Sequence, residues 1–127
     1  MDYAVIAQTM EKIGEVCVER VGVEPGMEVL DVGCGTGNAT IPAARMGARV
    51  TGLEPSADLL AIARERAADA MVEIDWVQGD PAKLPFADGS FDRVISIFGD
   101  GSELAVDEMR RVCRGRIAMY ALTIVDV

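Results

Sequence analysis

The spacing of apolar residues changes along the chain, and the changes predict an alternation of helices and strands. Apolar runs at 28–32 and 91–98 are typical of buried parallel strands, whereas the alternating segment 73–78 predicts a half-exposed edge strand. Near-helical spacing over 2–21 predicts an amphipathic N-terminal helix. Its apolar positions are Val5, Ile6, Met10, Ile13, Val16, Cys17 and Val21.

The remaining predicted elements complete an α/β pattern. In chain order they are a helix at 37–46, a strand at 49–54, a helix at 57–70, a helix from Ser102 to about 114 and a strand at 116–122. Strands that alternate with helices favour a doubly wound parallel sheet with right-handed crossovers. We therefore expect one domain, residues 1–127, with about five strands and a ligand site at their carboxyl ends.

The segment 29–38 predicts a buried strand that enters a glycine-rich turn. Gly33, Gly35 and Gly37 permit a sharp turn and a close ligand approach, and we expect a helix opening near Gly37 to present its N–H groups. A dinucleotide fingerprint would need glycine where Asn38 stands. Asp31, two residues before the first glycine, would repel a pyrophosphate and suits a cationic ligand.

Two further acids end predicted strands and should meet this turn. Glu54 ends the second strand, where a carboxylate can accept both hydroxyls of a ribose, and Asp80 follows the third. Each has a plainer alternative. Glu54 would be an exposed acid before a helix, Asp80 a residue that caps its own loop, and Asp31 a buried acid satisfied by loop N–H groups.

With Asp31-x-Gly33-x-Gly35-x-Gly37 and the two acids in place, the chain resembles the class I S-adenosylmethionine-dependent methyltransferases. It is most similar to the small-molecule enzymes of ubiquinone and menaquinone biosynthesis, over roughly residues 10 to 98. The resemblance implies a Rossmann-like sheet of order 3-2-1-4-5, S-adenosylmethionine as cofactor, S-adenosylhomocysteine as product and a small-molecule methyl acceptor.

The resemblance also implies roles for particular residues. Asp31 would reach the methionine amine, often through water, Glu54 would hold the ribose, and Asp80 would accept from the adenine amino group. The implied cofactor-binding residues are Asp31, Gly33, Cys34, Gly35, Thr36, Gly37, Glu54, Pro55, Asp80, Pro81, Phe98 and Gly99. For Cys34 we favour a small buried filler over a reactive thiol. For Tyr3, a frayed end of a docked helix is favoured over a lid residue.

The candidates for a general base are restricted because the chain contains no histidine. Methyl transfer from a sulfonium is an in-line displacement with a neutral leaving group, so alignment supplies most of the acceleration. A base would have to be Asp, Glu, Tyr, Lys or Cys. Asp100, just past the fourth strand, is the best placed, although a turn residue in Gly99-Asp100-Gly101-Ser102 is the plainer interpretation.

The amino-acid composition restricts the classes of molecule that we expect this protein to bind. A net charge of −9, with 21 acidic and 12 basic residues, argues against a nucleic-acid partner. No apolar run approaches the ~20 residues of a membrane span, and no secretory leader opens the chain, so we expect no membrane partner. Three cysteines without CxxC spacing predict neither a disulfide frame nor a metal site, which favours a reducing cytoplasm.

After the fourth strand the sequence departs from the pattern of this family. The loop there is only four residues long, Arg114-Gly115-Arg116 stands where relatives carry Pro-Gly-Gly, and the chain ends at Val127 before a C-terminal strand hairpin. We therefore expect the fifth strand to be an open edge on which a second copy can pair as a homodimer. Two alternatives to an enzyme stay open. The first is a protein that binds the cofactor without turnover, either as a binding module or as a shortened form. The second is an NAD-type or purely structural α/β domain.

Overall fold

The computed structural model describes residues 2–97, 102–119 and 123–127. Its elements, in chain order, are α1 (Tyr3–Val21), β1 (Glu28–Val32), α2 (Thr40–Arg45), β2 (Arg49–Glu54), α3 (Ala57–Asp69), β3 (Asp75–Gln78), β4 (Phe91–Ser96), α4 (Glu103–Val112), β5 (Cys113–Met119) and β6 (Thr123–Asp126). The strands form one sheet in the order β3-β2-β1-β4-β5-β6. The first five are parallel, so the predicted α/β class and the order 3-2-1-4-5 are confirmed.

The expected open edge at the fifth strand is wrong. The strand β6 pairs antiparallel with β5 from Arg116↔Asp126 to Met119↔Thr123, and the Nε of Arg116 lies 2.7 Å from Oδ1 of Asp126. The short segment Thr123–Asp126 can form this pair because two half-buried residues, Ile124 and Val125, lie between polar ends. The antiparallel pair covers the edge of β5, which removes the basis for a homodimer through that edge.

The helix after the glycine-rich turn is shorter than predicted. It begins at Thr40, and residues 36–39 form turns instead of helix. Gly37 has a φ of 93°, which a right-handed helix cannot contain, so the helix cannot open there. The predicted start of this helix near Gly37 is therefore corrected to Thr40, and the presentation of its N–H groups to a ligand stays a prediction.

Two apolar clusters cover the two faces of the sheet. On β1, Val29 packs with residues of α1 and α2, whereas Leu30 and Val32 pack with residues of α4. Because side chains alternate along a strand, Asp31 lies on the same face as Val29, toward α1 and α2. Within the described ranges, no helix has the length and apolar character needed to cross a bilayer.

Candidate functional site

The backbone of the glycine-rich turn is held by the end of β2. The amides of Gly33 and Cys34 both donate to the carbonyl of Leu53, at 2.8 and 3.0 Å. Gly33 and Gly35 have φ values of 70° and 56°, in the left-handed region that favours glycine. A Cβ placed on either residue would meet no atom within 4 Å. The turn thus exposes bare backbone to open space, as a closely approaching ligand requires.

The carboxylate of Glu54 joins β2 to this turn. Its Oε1 accepts from the amide of Gly35 at 3.0 Å, and its Oε2 accepts from the amide of Ser56 at 2.9 Å. The residue is only 8% exposed. Since each carboxylate oxygen has two lone pairs, both oxygens retain acceptor capacity for ligand hydroxyls. The predicted proximity of Glu54 and the glycines is therefore present in the structure.

Asp31 lies beneath the turn and is 2% exposed. Its Oδ2 accepts from the hydroxyl of Thr40 at 2.9 Å. Burial raises the pKa of Asp31 to about 7; Thr40 opposes the rise, and the charge of Glu54 adds to it. Among the ion pairs of the described residues, none includes Asp31 or Glu54. Two acids without an ion-pair partner among the described residues therefore lie at this edge of the sheet.

The third strand end brings Asp80 to the same edge. Glu54 is level with Gln78, whose Nε2 donates to the carbonyl of Pro55 at 3.0 Å. Asp80 is exposed, and its Oδ1 accepts from the amide of Ala82 at 2.9 Å, which is the loop-capping contact of the plainer interpretation. Pro81, beside it, is buried. Because only Oδ1 of Asp80 is used in this contact, Oδ2 can still accept from a ligand, and the geometry fits both the loop-capping and the ligand-binding interpretation.

The side chain of Cys34 points into the protein. It is 7% exposed, and its Sγ lies 3.1 Å from where a Cβ on Gly52 would be. Burial, with the charges of Asp31 and Glu54, raises the pKa of its thiol. This geometry matches the buried-filler interpretation. Three predicted site residues, Phe98, Gly99 and Asp100, lie outside the described residues.

Sequence reasoning missed three residues that shape the turn. Thr40 holds Asp31, Arg66 on α3 donates to the turn, and Gly14 on α1 lies against it. A Cβ on Gly14 would be 1.7 Å from the carbonyl oxygen of Asn38, so only glycine fits. A glycine in the middle of an amphipathic helix is a signal of such close packing. Arg66 gave no signal, because it resembles any other charge on a solvated helix face.

A parallel sheet with a glycine-rich turn after β1 and an acid at the end of β2 defines a Rossmann-like α/β domain. Residues 29–116 match the methyltransferase domain family, and the chain belongs to that family. The predicted resemblance to class I S-adenosylmethionine-dependent methyltransferases is thereby confirmed. In the part of the chain that the structure describes, no group of three or more His, Cys, Asp or Glu could hold a metal ion.

Individual relatives give the extent of the similarity. The chain is 41% identical over 118 residues to an uncharacterised protein of Mycobacterium tuberculosis, covering 89% of this chain and 43% of that protein. It is 41% identical over 101 residues to a demethylmenaquinone methyltransferase of Renibacterium salmoninarum, covering 76% and 41%. A SAM-dependent methyltransferase structure from Aquifex aeolicus shares the fold, with a TM-score of 0.71, 22% identity and coverage of 84% and 62%. The chain spans less than half the length of these two curated relatives.

Proposed function

We propose that this chain binds S-adenosylmethionine at the carboxyl edge of β1, β2 and β3 and takes part in the transfer of its methyl group to a small molecule. One observation carries the proposal. The carboxylate of Glu54 is bound to the amide of Gly35 at 3.0 Å, directly beside turn backbone that faces open space. In this proposal the carboxylate of Glu54 accepts the ribose hydroxyls, and the exposed backbone of the turn allows the ligand to approach closely.

The charge of the edge fits this cofactor. S-adenosylmethionine carries a sulfonium and an ammonium group, and the edge carries Asp31 and Glu54 without a paired cation among the described residues. In the proposed pose, Glu54 accepts hydrogen bonds from the ribose hydroxyls, and Asp80 accepts a hydrogen bond from the adenine amino group. Asp31, held by Thr40, acts on the ammonium through its charge and through water, because its side chain is nearly fully buried.

The chemistry asks little covalent work of the protein. When bound, the cofactor would supply a methyl group on a sulfonium, with a neutral thioether as leaving group. The residues of the turn and of the β2 end would fix the donor so that an acceptor can align with it. Asp100 stays our prediction for a base that removes an acceptor proton, from a position outside the described residues.

Demethylmenaquinone in its reduced, quinol form is the first acceptor to test, because displacement at a sulfonium methyl needs an electron-rich acceptor. Relatives bearing the name demethylmenaquinone methyltransferase align over 76% of this chain in one case and over 61%, at 48% identity, in another. Those relatives are more than twice as long as the aligned part.

Cofactor binding is tested by calorimetric titration of S-adenosylmethionine and S-adenosylhomocysteine. We compare the wild type with Glu54→Gln, which keeps the side-chain shape but removes the charge and one of the two oxygens that accept from the amides of Gly35 and Ser56. Glu65→Gln, on the exposed side of α3, is the matched control. Glu54→Gln should weaken binding about ten- to a hundredfold, as loss of charge-assisted hydrogen bonds does, and the control should not. A folded wild type that binds neither ligand, or binds NADH more tightly, would overturn the proposal.

Turnover is tested separately, with S-adenosylmethionine labelled in the methyl group. Label should pass to demethylmenaquinone reduced to its quinol, whose electron-rich ring can attack the methyl group, or to another member of a panel of small hydroxylated aromatics. Transfer should fall in Glu54→Gln. Tight cofactor binding without transfer to any acceptor would contradict the enzymatic half of the proposal and favour a binding module.

A further inference from the structure

Arg66 reaches from α3 to the glycine-rich turn. Its side chain is 30% exposed, and its Nη1 donates to the carbonyl of Thr36 at 2.8 Å, to the hydroxyl of Thr36 at 3.1 Å and to Oδ1 of Asn38 at 2.9 Å. These contacts hold the half of the turn that follows Gly35. They lie on backbone and side-chain groups whose conformation no regular helix or strand fixes.

The same guanidinium also binds α1. Its Nη2 lies 3.0 Å from Oε1 of Glu11, so one planar group joins α3, the turn and the N-terminal helix. Arginine suits this position because its rigid fork presents several donors in fixed directions, whereas a lysine is a single point of charge. Glu11 in turn restricts the orientation of the guanidinium.

A second, independent contact presses α1 onto the same segment. Gly14, three residues after Glu11, lies so close to Asn38 that a Cβ would be 1.7 Å from its carbonyl oxygen. The turn is therefore clamped on one side by α1 and Arg66. On the other side Gly33 and Gly35 face open space, and Glu54 holds the amide of Gly35.

We propose that Arg66 is a positioning residue for cofactor binding: it holds residues 36–38 so that the Gly35 amide stays on Glu54. Glu11 aligns the guanidinium, and α1 docking thereby supports the shape of the turn. Arg66 is assigned no contact with the ligand. For its effect on affinity this inference rests on the proposed binding of S-adenosylmethionine, whereas its effect on the turn does not.

The ligand-free protein tests the clamp directly. Amide hydrogen exchange is measured at Gly35 and, as a core reference, at Val94 in β4, for the wild type, Arg66→Met and Arg66→Lys. Arg64→Met, an exposed arginine two residues earlier on the same helix, is the matched control. In Arg66→Met we expect exchange about tenfold faster at Gly35 and unchanged at Val94, with partial recovery in Arg66→Lys. Equal acceleration at both amides would mean a purely structural role and would overturn the proposal.

Binding of S-adenosylhomocysteine supplies the second readout. Arg66→Met should weaken it about ten- to a hundredfold and Glu11→Gln about threefold, while Arg64→Met stays at the wild-type affinity. With an acceptor in hand, KM for S-adenosylmethionine should rise while kcat changes little. Wild-type affinity in Arg66→Met would overturn the inference. A wild type that does not bind at all would instead overturn the proposed function, and the exchange experiment would still decide the clamp.

Discussion

Carboxylates at the two ends of the sheet have different partners and oppositely shifted pKa values. Near the amino end, Asp92 at the start of β4 accepts from Nε of Arg114 at 2.8 Å and from the amide of Glu28 at 2.9 Å. The hydrogen bond from Arg114 is the main reason that the pKa of Asp92 lies below its usual value. At the carboxyl end, Asp31 has only Thr40 and neighbouring negative charge, and its pKa is raised to about 7.

This difference distinguishes an acid paired with arginine from an acid without an ion-pair partner among the described residues. An acid paired with arginine stabilises the protein and has little field left to offer a ligand. A buried acid without a cation destabilises the fold, because ionisation in a low-dielectric site is costly. Such groups concentrate at functional sites, and the unpaired acids here lie where the turn exposes its backbone. The charge pattern and the open glycine positions thus identify the same edge.

The largest effect we expect is on the pH dependence of stability. Because the pKa of Asp31 is raised from 3.8 to about 7, the folded protein holds this proton more tightly than the unfolded chain. The free energy of unfolding should therefore fall as pH rises from about 4 to about 7, by an amount on the order of 4 kcal/mol, and then level. Urea unfolding across this range measures it. Asp31→Asn should remove the decline and be the more stable protein at about pH 8.

If Asp31→Asn were instead less stable than the wild type at that pH, the ionised carboxylate would be a stabilising group. The contrast between the two ends of the sheet would then fail.

The next effect concerns ligand affinity. A cationic amino group near Asp31 favours its charged form, so binding of S-adenosylhomocysteine should release a proton below about pH 7. With the pKa of Asp31 at about 7, affinity should be about tenfold weaker at about pH 6 than at about pH 8. Calorimetric titration in two buffers of different ionisation enthalpy measures the number of protons released on binding. In Asp31→Asn the pH dependence that remains is that of the ligand, and an unchanged slope would exclude Asp31 as its source.

The convergence of Asp31, Glu54 and Asp80 was predictable, since carboxyl ends of parallel strands meet at one edge whatever the loops do. Other features depend on contacts that a linear sequence does not encode. The left-handed φ of Gly37 excludes that residue from the helix, and α2 begins at Thr40. β6 is a strand of four residues that pairing with β5 makes regular.

Arg66 shows the limit most clearly. Arg64 and Arg66 are alike in the sequence, because both are basic residues of the helix predicted at 57–70. Only the fold distinguishes them, because it brings the turn and α1 within reach of one of the two. Spacing on a helix gives the face on which a side chain lies, but a polar partner from a distant segment has no periodic signal.

The smallest predicted effect tests the amino end of the sheet. Since the pKa of Asp92 is lowered mainly by its hydrogen bond from Arg114, its contribution to stability is present above about pH 4 and is lost as pH falls below that value. Asp92→Asn should destabilise the protein by about 1 kcal/mol at neutral pH, a value reduced by partial exposure, and should leave the affinity for S-adenosylhomocysteine unchanged. The exposed Asp107→Asn is the control for a simple loss of charge. Weaker ligand binding in Asp92→Asn alone would show that the two ends of the sheet are coupled, and the charges near Arg114 would then belong to the site as much as Asp31 does.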